Sequence, residues 1–323
     1  MIKSGGTIRI GTRGSRLART QAGIVKQMLD FRSAAQNPLD TELVFITTTG
    51  DQQQEPRLAQ TGGKGLFIKE IEAALLERRI DLAVHSAKDL PAQLAPGTVI
   101  AATPLRADPH DVWIGFNKKG IAEIPPGAMV GTSSLRRQAQ LLAQRPDVTV
   151  QPLRGNIETR LRKVQDGVVA GTFLAHAGLE RADLLPAKAV MLPLDEFIPA
   201  AGQGTLAIQA RADDLPMLRA AQTINHAATF AALDFERRVV AALAGSCMAP
   251  IGVCAVRRGR VSNKLQGWIA RAFVATPDGR KLVRATLLTE DPSVAGLGNL
   301  YDLLLATLRE RGSDEILAII GAL

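Results

Sequence analysis

The order strand, polar turn, helix occurs twice in this chain, and this repeated unit is the feature that most limits the fold. Residues 7–11 (TIRIG) predict a short strand, and residues 16–29 predict the helix that follows it. Residues 129–131 predict a second such strand, with a hydroxyl-rich turn and a helix over 139–143 after it. Strands that alternate with helices are typical of an α/β protein with a largely parallel sheet.

Residues 80–91 (IDLAVHSAKDLP) combine a predicted strand with a cluster of reactive side chains. Apolar residues alternate at the start of the segment and predict a short buried strand. The strand is followed by four reactive side chains: the imidazole of His85, the hydroxyl of Ser86, the ammonium group of Lys88 and the carboxylate of Asp89. Ligands of open α/β sheets bind at the carboxyl ends of strands, so the segment predicts a binding site. A plain polar turn stabilised by Asp89 is an equally weighted alternative.

Composition and charge indicate the kind of ligand. The 323 residues, 46% of them hydrophobic, suffice for two or three domains. The net charge of +8 favours an anionic partner. With two Trp, one Tyr and nine Phe, the chain is poorly supplied with rings for stacking single-stranded bases. The arginines occur inside predicted elements rather than in a tail, which indicates a small polyanion rather than nucleic acid.

Leader and cysteine patterns predict a location in the cytoplasm. We recognise neither a charged leader with an apolar run nor an apolar stretch long enough to cross a bilayer. Cys247 and Cys254 do not follow a metal-ligand spacing, so we expect a reducing compartment and no metal site. The polar segment 50–65 predicts a lid or a disordered loop, and its Gly-Gly-Lys-Gly at 62–65 lacks the spacing of a P-loop.

Both repeated units predict an anion site where the helix begins. In the first, Arg13 and Ser15 stand at the start of the helix, where backbone N–H groups lack helical partners. In the second, Thr132 or Ser133 is predicted to cap the helix, and Ser134 follows. A surface arginine or a simple helix cap is the alternative at either place.

Five arginines stand at the ends of predicted elements in the second half of the α/β region. They are Arg136, Arg137, Arg154 (followed by Gly155), Arg160 and Arg181. If they converge, they can bind several carboxylates, because guanidinium groups pair with carboxylates in a bidentate manner. An unpaired cluster of guanidinium groups is unfavourable, so the pattern predicts a ligand that neutralises it.

The chain resembles the porphobilinogen deaminase family, also called hydroxymethylbilane synthases. The matching segments are IGTRGSRLARTQA (10–22), GGKGLFIKEIEAALLERRIDLAVHSAKDLP (62–91), VGTSSLRRQAQL (130–141), LRGNIETRL (153–161), AGLER (177–181), PAAGQGTLAIQAR (199–211) and GSCMAPIG (245–252). They follow the family order over nearly the whole chain, and as a set they are highly specific.

The resemblance implies an α/β fold of three domains. Two α/β domains similar to the lobes of periplasmic binding proteins would enclose a cleft, and a small α+β domain would follow. Domain 1 would comprise residues 1–104 with 205–222 and carry the catalytic aspartate. Domain 2 would comprise residues 105–204 and bind cofactor and substrate through its arginines. Domain 3 would comprise residues 223–323 and carry the cysteine loop.

The resemblance also implies a transferase of tetrapyrrole (porphyrin and haem) biosynthesis. Such an enzyme deaminates four porphobilinogen molecules and joins them head to tail into hydroxymethylbilane. The primer is a dipyrromethane cofactor, bound through a thioether to the residue that matches Cys247. A lone cysteine is more often inert packing, but the family match reverses that expectation for Cys247. Cys254 lies in the apolar run IGVCAV, and we expect it in the core.

Family roles are carried over by position. Asp89 and Lys88 match catalytic positions, and Asp89 would stabilise the positive charge that develops on the pyrrole nitrogen. The implied cofactor- and substrate-binding residues are Arg13, Ser15, Lys64, Phe67, Ser86, Thr132, Ser133, Ser134, Arg136, Arg137, Arg154, Gly155, Arg160, Arg181 and Gln203. Lys64 and Phe67 are also expected to cover the site.

Two other classes of protein share part of this pattern. An exported solute-binding protein would have a similar two-lobed fold, but it would need an export signal and would not need Cys247. A nucleic-acid-binding protein is indicated by net charge alone, and it would show binding to generic DNA with a steep salt dependence. We therefore expect porphobilinogen as the ligand, no nucleic acid or membrane partner, and a monomer.

Overall fold

The computed structural model describes residues 7–33, 40–48, 68–115, 120–243, 249–261, 264–265 and 267–321. The chain divides into two compact units. The first unit comprises Met1–Ala107 and Thr205–Phe230, and the second comprises Asp108–Gly204 and Ala231–Leu323. Within the described ranges, every helix is too short or too polar to cross a membrane.

The regular elements alternate along the chain. The strands are β1 (Thr7–Arg13), β2 (Asp40–Ile46), β3 (Leu82–Ser86), β4 (Thr98–Ala102), β5 (Asp111–Gly115), β6 (Met129–Gly131), β7 (Thr149–Gln151), β8 (Gly171–Ala175), β9 (Val190–Met191), β10 (Leu206–Arg211), β11 (Ile251–Arg257), β12 (Arg260–Val261), β13 (Lys264–Leu265), β14 (Trp268–Ala275) and β15 (Leu282–Thr289). The helices are α1 (Arg16–Ser33), α2 (Lys69–Leu76), α3 (Leu135–Gln144), α4 (Ile157–Gln165), α5 (His176–Arg181), α6 (Leu215–Gln222), α7 (Ala227–Leu243), α8 (Val294–Gly298), α9 (Leu300–Glu310) and α10 (Ser313–Gly321).

The sheet of the first unit has the order β2-β1-β3-β10-β4. β1 pairs in parallel with β2 and β3, whereas β10 is antiparallel to β3 and β4. Alternating strand residues such as Ile8 and Ile10 pack on one face against Ala22, Val25 and Leu29 of α1. Because β1 and β3 are parallel, their carboxyl ends lie at the same edge of the sheet, as predicted for a binding site.

The sheet of the second unit has the order β7-β6-β8-β5-β9 and repeats the pattern of the first. β6 is parallel to β7 and β8, and β5 is antiparallel to β8 and β9. Its core contains a ring stack in which the centroid of Phe173 lies 5.1 Å from that of Trp113 and 5.0 Å from that of Phe197. The predicted repetition of the strand–turn–helix unit is therefore confirmed.

The C-terminal part of the second unit contains the antiparallel sheet β11-β14-β15. Pro-Asp-Gly at 277–279, between two apolar segments, predicts a hairpin turn. β14 and β15 form this hairpin, and Gly279 in its turn has a φ of 70°, which favours glycine. Residues 297–311 predict a closing helix, and α9 covers most of that range; the short helix α8 precedes it, and α10 rather than α9 is the last helix. The predicted α/β fold class with a small additional sheet is confirmed.

Two local predictions are wrong. The helix of the second repeated unit begins at Leu135, not at Ala139, so Arg136 and Arg137 lie in its first turn rather than in the loop. Its N-cap is Ser134, whose hydroxyl accepts from the backbone N–H of Arg137, and neither Thr132 nor Ser133 takes that place.

Candidate active site

A pocket opens at the carboxyl edge of the sheet in the first unit. It is lined by Thr12, Arg13, Ser15, Leu17, Ala18, Gln21, Ile68, Ile71, Val84, His85, Ser86 and Asp89. Four of these residues, Arg13, Ser15, Ser86 and Asp89, were predicted as site residues from the sequence. The turn after β1 and the end of β3 therefore meet, as the parallel pairing of the two strands requires.

Hydrogen bonds hold the hydroxyl groups of this pocket in place. The Gln21 amide donates to the Ser86 hydroxyl at 3.0 Å, and that hydroxyl lies 3.1 Å from Gln21 Oε1, to which it donates in turn. Ser15 Oγ accepts from the backbone N–H of Ala18 at 3.3 Å, in the first turn of α1. Sequence reasoning missed Gln21, although a polar residue next to the buried Ala22 on an apolar helix face was a usable signal.

Asp89 ends a short 3₁₀ turn, Ala87–Asp89, that continues directly from β3. The backbone N–H of Ala87 donates to the carbonyl of Thr205 at 3.0 Å, which anchors this turn to the segment before β10. The Asp89 side chain is exposed at the pocket, and Lys88 in the same turn is half-buried. A carboxylate on an anchored turn can accept hydrogen bonds from a ligand with little reorganisation.

His85 belongs to the same pocket but is buried, with 7% of its surface exposed. Burial lowers the pKa of its imidazole to about 4, and the neighbouring Gln209 amide opposes that change. The ring is therefore neutral near pH 7.

A second group of predicted residues surrounds Asp111 in the second unit. Asp111 is fully buried and accepts from Arg136 Nη1 at 2.7 Å and from Arg137 Nη2 at 2.7 Å. Burial by itself would raise the pKa of Asp111, but the two guanidinium groups outweigh it and hold that pKa well below its usual range. The predicted unpaired arginine cluster is therefore wrong for Arg136 and Arg137, because both pair with Asp111, a counter-charge that the local sequence pattern did not indicate.

The arginine pair also bonds to the backbone. Arg136 Nη1 donates to the carbonyl of Ile198 at 2.8 Å, and Arg137 Nη1 donates to that of Phe173 at 2.8 Å. Both side chains are buried, with 8% and 6% of their residue surfaces exposed. Their binding of ligand carboxylates stays a prediction.

The three hydroxyl residues before α3 organise its first turn. Thr132 Oγ1 accepts from the backbone N–H of Ser134 at 3.2 Å, and Ser133 Oγ donates to the carbonyl of Leu153 at 3.2 Å. Ser134 caps the helix, as described above. A direct role of these hydroxyls in ligand binding likewise stays a prediction.

The other predicted arginines of the second unit lie near helix ends: Arg154 precedes α4, Arg160 lies in its first turn, and Arg181 is the last residue of α5. Arg154 is exposed, and Gly155 after it has a φ of 115°, a conformation that favours glycine. Arg160 Nε donates to the carbonyl of Gly155 at 2.9 Å, so the start of α4 is tied to this turn. Arg181 Nη2 donates to the carbonyl of Gly204 at 2.7 Å.

Gln203 bonds to the group of residues around Asp111. Its amide donates to the carbonyl of Pro109 at 2.8 Å and to Asp111 Oδ1 at 3.0 Å. The turn before it is held by Glu236, a fully buried carboxylate on α7 that accepts from the N–H of Gly202 at 2.6 Å and of Ala255 at 2.7 Å.

Three predicted site residues, Lys64, Phe67 and Cys247, lie outside the described residues. Cys254 is fully buried against Ala139, Ile198 and Phe273, so its prediction as a core residue is confirmed.

The donor set has a consistent chemistry. The predicted ligand-binding residues that the structure describes present guanidinium, hydroxyl and amide groups, which suit several carboxylates, and Asp89 supplies an anion. Fold and site thus define an α/β protein suited to a ligand that carries several carboxylates together with an N–H donor or a cationic group. A dipyrromethane, whose pyrrole rings carry acetate and propionate arms, fits this set.

Comparison with known proteins identifies the family. A family model described as porphobilinogen deaminase, dipyrromethane cofactor binding domain, matches residues 8–219. The porphobilinogen deaminase of Desulforudis audaxviator is 46% identical over 314 residues, and that of Brevibacillus brevis is 41% identical over 314 residues. Each alignment covers 97% of this chain and 97% of the relative. The chain belongs to the porphobilinogen deaminase family.

Similar solved structures include proteins outside this family. A lipoprotein of the YaeC family from Enterococcus faecalis has a TM-score of 0.43 at 12% identity, covering 69% of this chain and 93% of its own. The periplasmic VFT2 domain of BvgS from Bordetella pertussis has a TM-score of 0.39 at 12% identity, covering 68% and 86%.

Proposed function

We propose that this chain is a hydroxymethylbilane synthase, a transferase of porphyrin and haem biosynthesis. It joins four porphobilinogen molecules with loss of ammonia from each, and water then releases the chain as the linear tetrapyrrole hydroxymethylbilane. The family match over residues 8–219 is the observation that carries this proposal. The pocket that gathers Arg13, Ser86 and Asp89 at one sheet edge supports it.

The charge of the substrate indicates which residues bind it. Each porphobilinogen carries two carboxylates, which favour guanidinium and hydroxyl partners. Arg13, Ser15, Ser86 and Lys88 would bind these arms in the first unit. In the second unit we assign the same role to Thr132, Ser133, Ser134, Arg136, Arg137, Arg154, Gly155, Arg160, Arg181 and Gln203. Lys64 and Phe67 would cover the bound ligand.

We assign cofactor attachment to Cys247, through a thioether. Cysteine sulfur is a suitable nucleophile for such a bond, whereas Cys254 is enclosed by apolar side chains. When bound, the dipyrromethane supplies the unsubstituted pyrrole carbon to which the incoming methylene carbon becomes bonded.

Asp89 is the proposed catalytic carboxylate, with Lys88 beside it. Loss of ammonia breaks the C–N bond of the aminomethyl group and leaves positive charge shared between the methylene carbon and the pyrrole nitrogen. A carboxylate that accepts the pyrrole N–H stabilises this cation electrostatically. The same group can take the proton that is lost when the new C–C bond forms.

We further propose the division into three domains given by the family: 1–104 with 205–222, 105–204, and 223–323. Separate sheets in the first unit, in the α/β part of the second unit and in its C-terminal part support this division. A cytoplasmic location, a monomeric state and the lack of a nucleic-acid partner remain predictions.

The intact mass of the purified chain, measured under denaturing conditions, tests the cofactor assignment. We expect an added mass of two linked pyrrole units, mapped by digestion to the peptide that contains Cys247. The Cys247→Ala variant should lack the adduct and the activity, while Cys254→Ala should retain both. Equal loss in the two variants would contradict the assignment of the thiol.

Turnover of porphobilinogen is measured on the same samples. Wild-type chain should form hydroxymethylbilane, and Asp89→Ala should keep the adduct when supplied with preformed cofactor but lose turnover. If incubation of a bare wild-type chain with porphobilinogen produces neither adduct nor product, the proposed function is wrong.

A further inference from the structure

Gln21 is a buried amide in the wall of the pocket, and none of the roles assigned above involves it. It lies in the second turn of α1, with 5% of its surface exposed. Leu17 and Ala18, which precede it by about one helical turn, line the same pocket. Residues at these spacings share one face of a helix, so α1 contributes two apolar side chains and one amide to the pocket wall.

The amide of Gln21 bonds to Ser86, a predicted substrate-binding residue on another element. Gln21 Nε2 lies 3.0 Å from Ser86 Oγ, and Gln21 Oε1 lies 3.1 Å from it, so the hydroxyl accepts from the amide nitrogen and donates to the amide oxygen. Ser86 is the N-cap of the turn Ala87–Asp89, but its hydroxyl makes no cap bond to that turn. The orientation of this hydroxyl is therefore determined by α1 and not by the local chain.

A hydroxyl group that an amide holds in this way is well suited to bind a carboxylate. While Ser86 Oγ accepts from Gln21 Nε2, its hydrogen can turn from the neutral amide oxygen to a charged carboxylate oxygen, which forms the stronger hydrogen bond. The N–H that donates to the hydroxyl also polarises it and strengthens its own donation. Because the oxygen stays in place during this exchange, little side-chain entropy is lost on binding.

We propose that Gln21 is a positioning residue of the active site, and that its amide holds the Ser86 hydroxyl as a donor to a carboxylate of porphobilinogen. The proposal rests on the function proposed above and deepens it, because it names the residue that fixes one carboxylate contact. Arg13, which lines the same pocket, would supply the positive charge for that carboxylate, and the held hydroxyl would supply the direction.

Steady-state kinetics of the full-length, cofactor-loaded chain test the proposal. Gln21→Met nearly keeps the length of the side chain and removes the whole amide. It should raise KM for porphobilinogen about three- to tenfold, while kcat changes less than about twofold. Ser86→Ala should raise KM by at least as much. In the double variant KM should match that of Ser86→Ala alone, because Gln21 then has no hydroxyl to hold.

Gln222→Met is the matched control, because the Gln222 amide bonds to the carbonyl of Ala101 in the same unit and Gln222 does not line the pocket. It should leave KM unchanged. A folded Gln21→Met chain with the KM of wild type overturns the proposal, and so do two increases that multiply in the double variant. A wild-type chain that forms no hydroxymethylbilane shows instead that the proposed function is wrong.

A spectroscopic readout tests the same contact even if Gln21→Met does not fold. In the Asp89→Ala chain labelled with ¹⁵N-glutamine, saturating porphobilinogen should shift the side-chain amide resonance of Gln21, because the hydroxyl hydrogen leaves its oxygen. The resonance is assigned by its absence from Gln21→Glu. The shift should be lost when Ser86→Ala is added to the Asp89→Ala chain. No shift, or an equal shift with and without the Ser86 hydroxyl, would overturn the proposal.

Discussion

Asp111 accepts hydrogen bonds from Arg136, Arg137 and Gln203, and this one carboxylate sets the charge balance at its site. Two guanidinium groups around one buried carboxylate leave a net positive charge, which a ligand carboxylate can offset. Asp111 also restricts the rotamers of both arginines, because each bonds to a backbone carbonyl as well. Restricted donors bind a ligand with a smaller loss of side-chain entropy.

At the residue scale, we predict that Asp111→Asn destabilises the chain by about 3 kcal/mol or more, because it leaves two buried guanidinium groups without a counter-charge. Urea denaturation of wild type and variant measures this change. Asp147→Asn is the control, since it removes a carboxylate that pairs with one arginine, Arg145, at the surface. It should change the free energy of unfolding little. If Asp111→Asn were as stable as wild type, Asp111 would not be the buried counter-charge of Arg136 and Arg137.

At the scale of elements, α3 shows why a helix boundary is hard to predict from a run of hydroxyl residues. Thr132, Ser133 and Ser134 can each cap a helix by residue type. The structure selects Ser134, because Thr132 bonds to the turn and Ser133 bonds to the carbonyl of Leu153, twenty residues away in sequence. This choice places both arginines of the segment in the first turn of α3, where they reach Asp111 of β5.

The N-cap assignment predicts that Ser134→Ala lowers the free energy of unfolding by about 1 kcal/mol, because one N–H of the first turn loses its acceptor. Ser134→Gly should cost only a few tenths of a kcal/mol, since glycine is a good N-cap residue. Denaturant midpoints of the two variants measure the difference. If the alanine variant matched wild type while Thr132→Ala or Ser133→Ala lost about 1 kcal/mol, the cap would be at one of those residues.

At the scale of the whole molecule, buried ionisable groups determine how stability responds to acid. The pKa of His85 is lowered in the folded chain to about 4, against 6.5 for the ordinary residue. The unfolded chain therefore binds a proton below pH 6.5 that the folded chain does not bind until about pH 4. Stability is highest above the unfolded pKa and falls as pH drops through this window.

We predict that this loss amounts to at most about 3 kcal/mol between pH 6.5 and pH 4. Urea midpoints measured across that window should fall for wild type and stay nearly level for His85→Gln. Asp81 and Asp111 have lowered pKa values, so their contributions are lost mainly below the unfolded carboxyl pKa of about 3.9 and do not obscure the window. Identical pH profiles for both chains would contradict the burial of a neutral imidazole.

Local sequence determined the class of fold, most of the elements and the family. Strand and helix periodicity depends on residues a few positions apart, so β1, α1, β3 and the β14–β15 hairpin were predicted close to where they lie. The motifs likewise identified the family, and with it Asp89 and the arginines, because reactive residue types stand next to one another in the chain. The structure then brought Arg13, Ser15, Ser86 and Asp89 together in one pocket.

Only the tertiary structure decided which charges and amides are paired. Asp111 and Arg136 are 25 residues apart, Gly202 and Glu236 are 34 apart, and Gln21 and Ser86 are 65 apart. Whether such residues meet depends on strand order and on how helices pack on the sheet, and no short pattern encodes either. The burial of His85 beside Gln209 has the same origin, since β3 and β10 pair across more than a hundred residues of intervening chain.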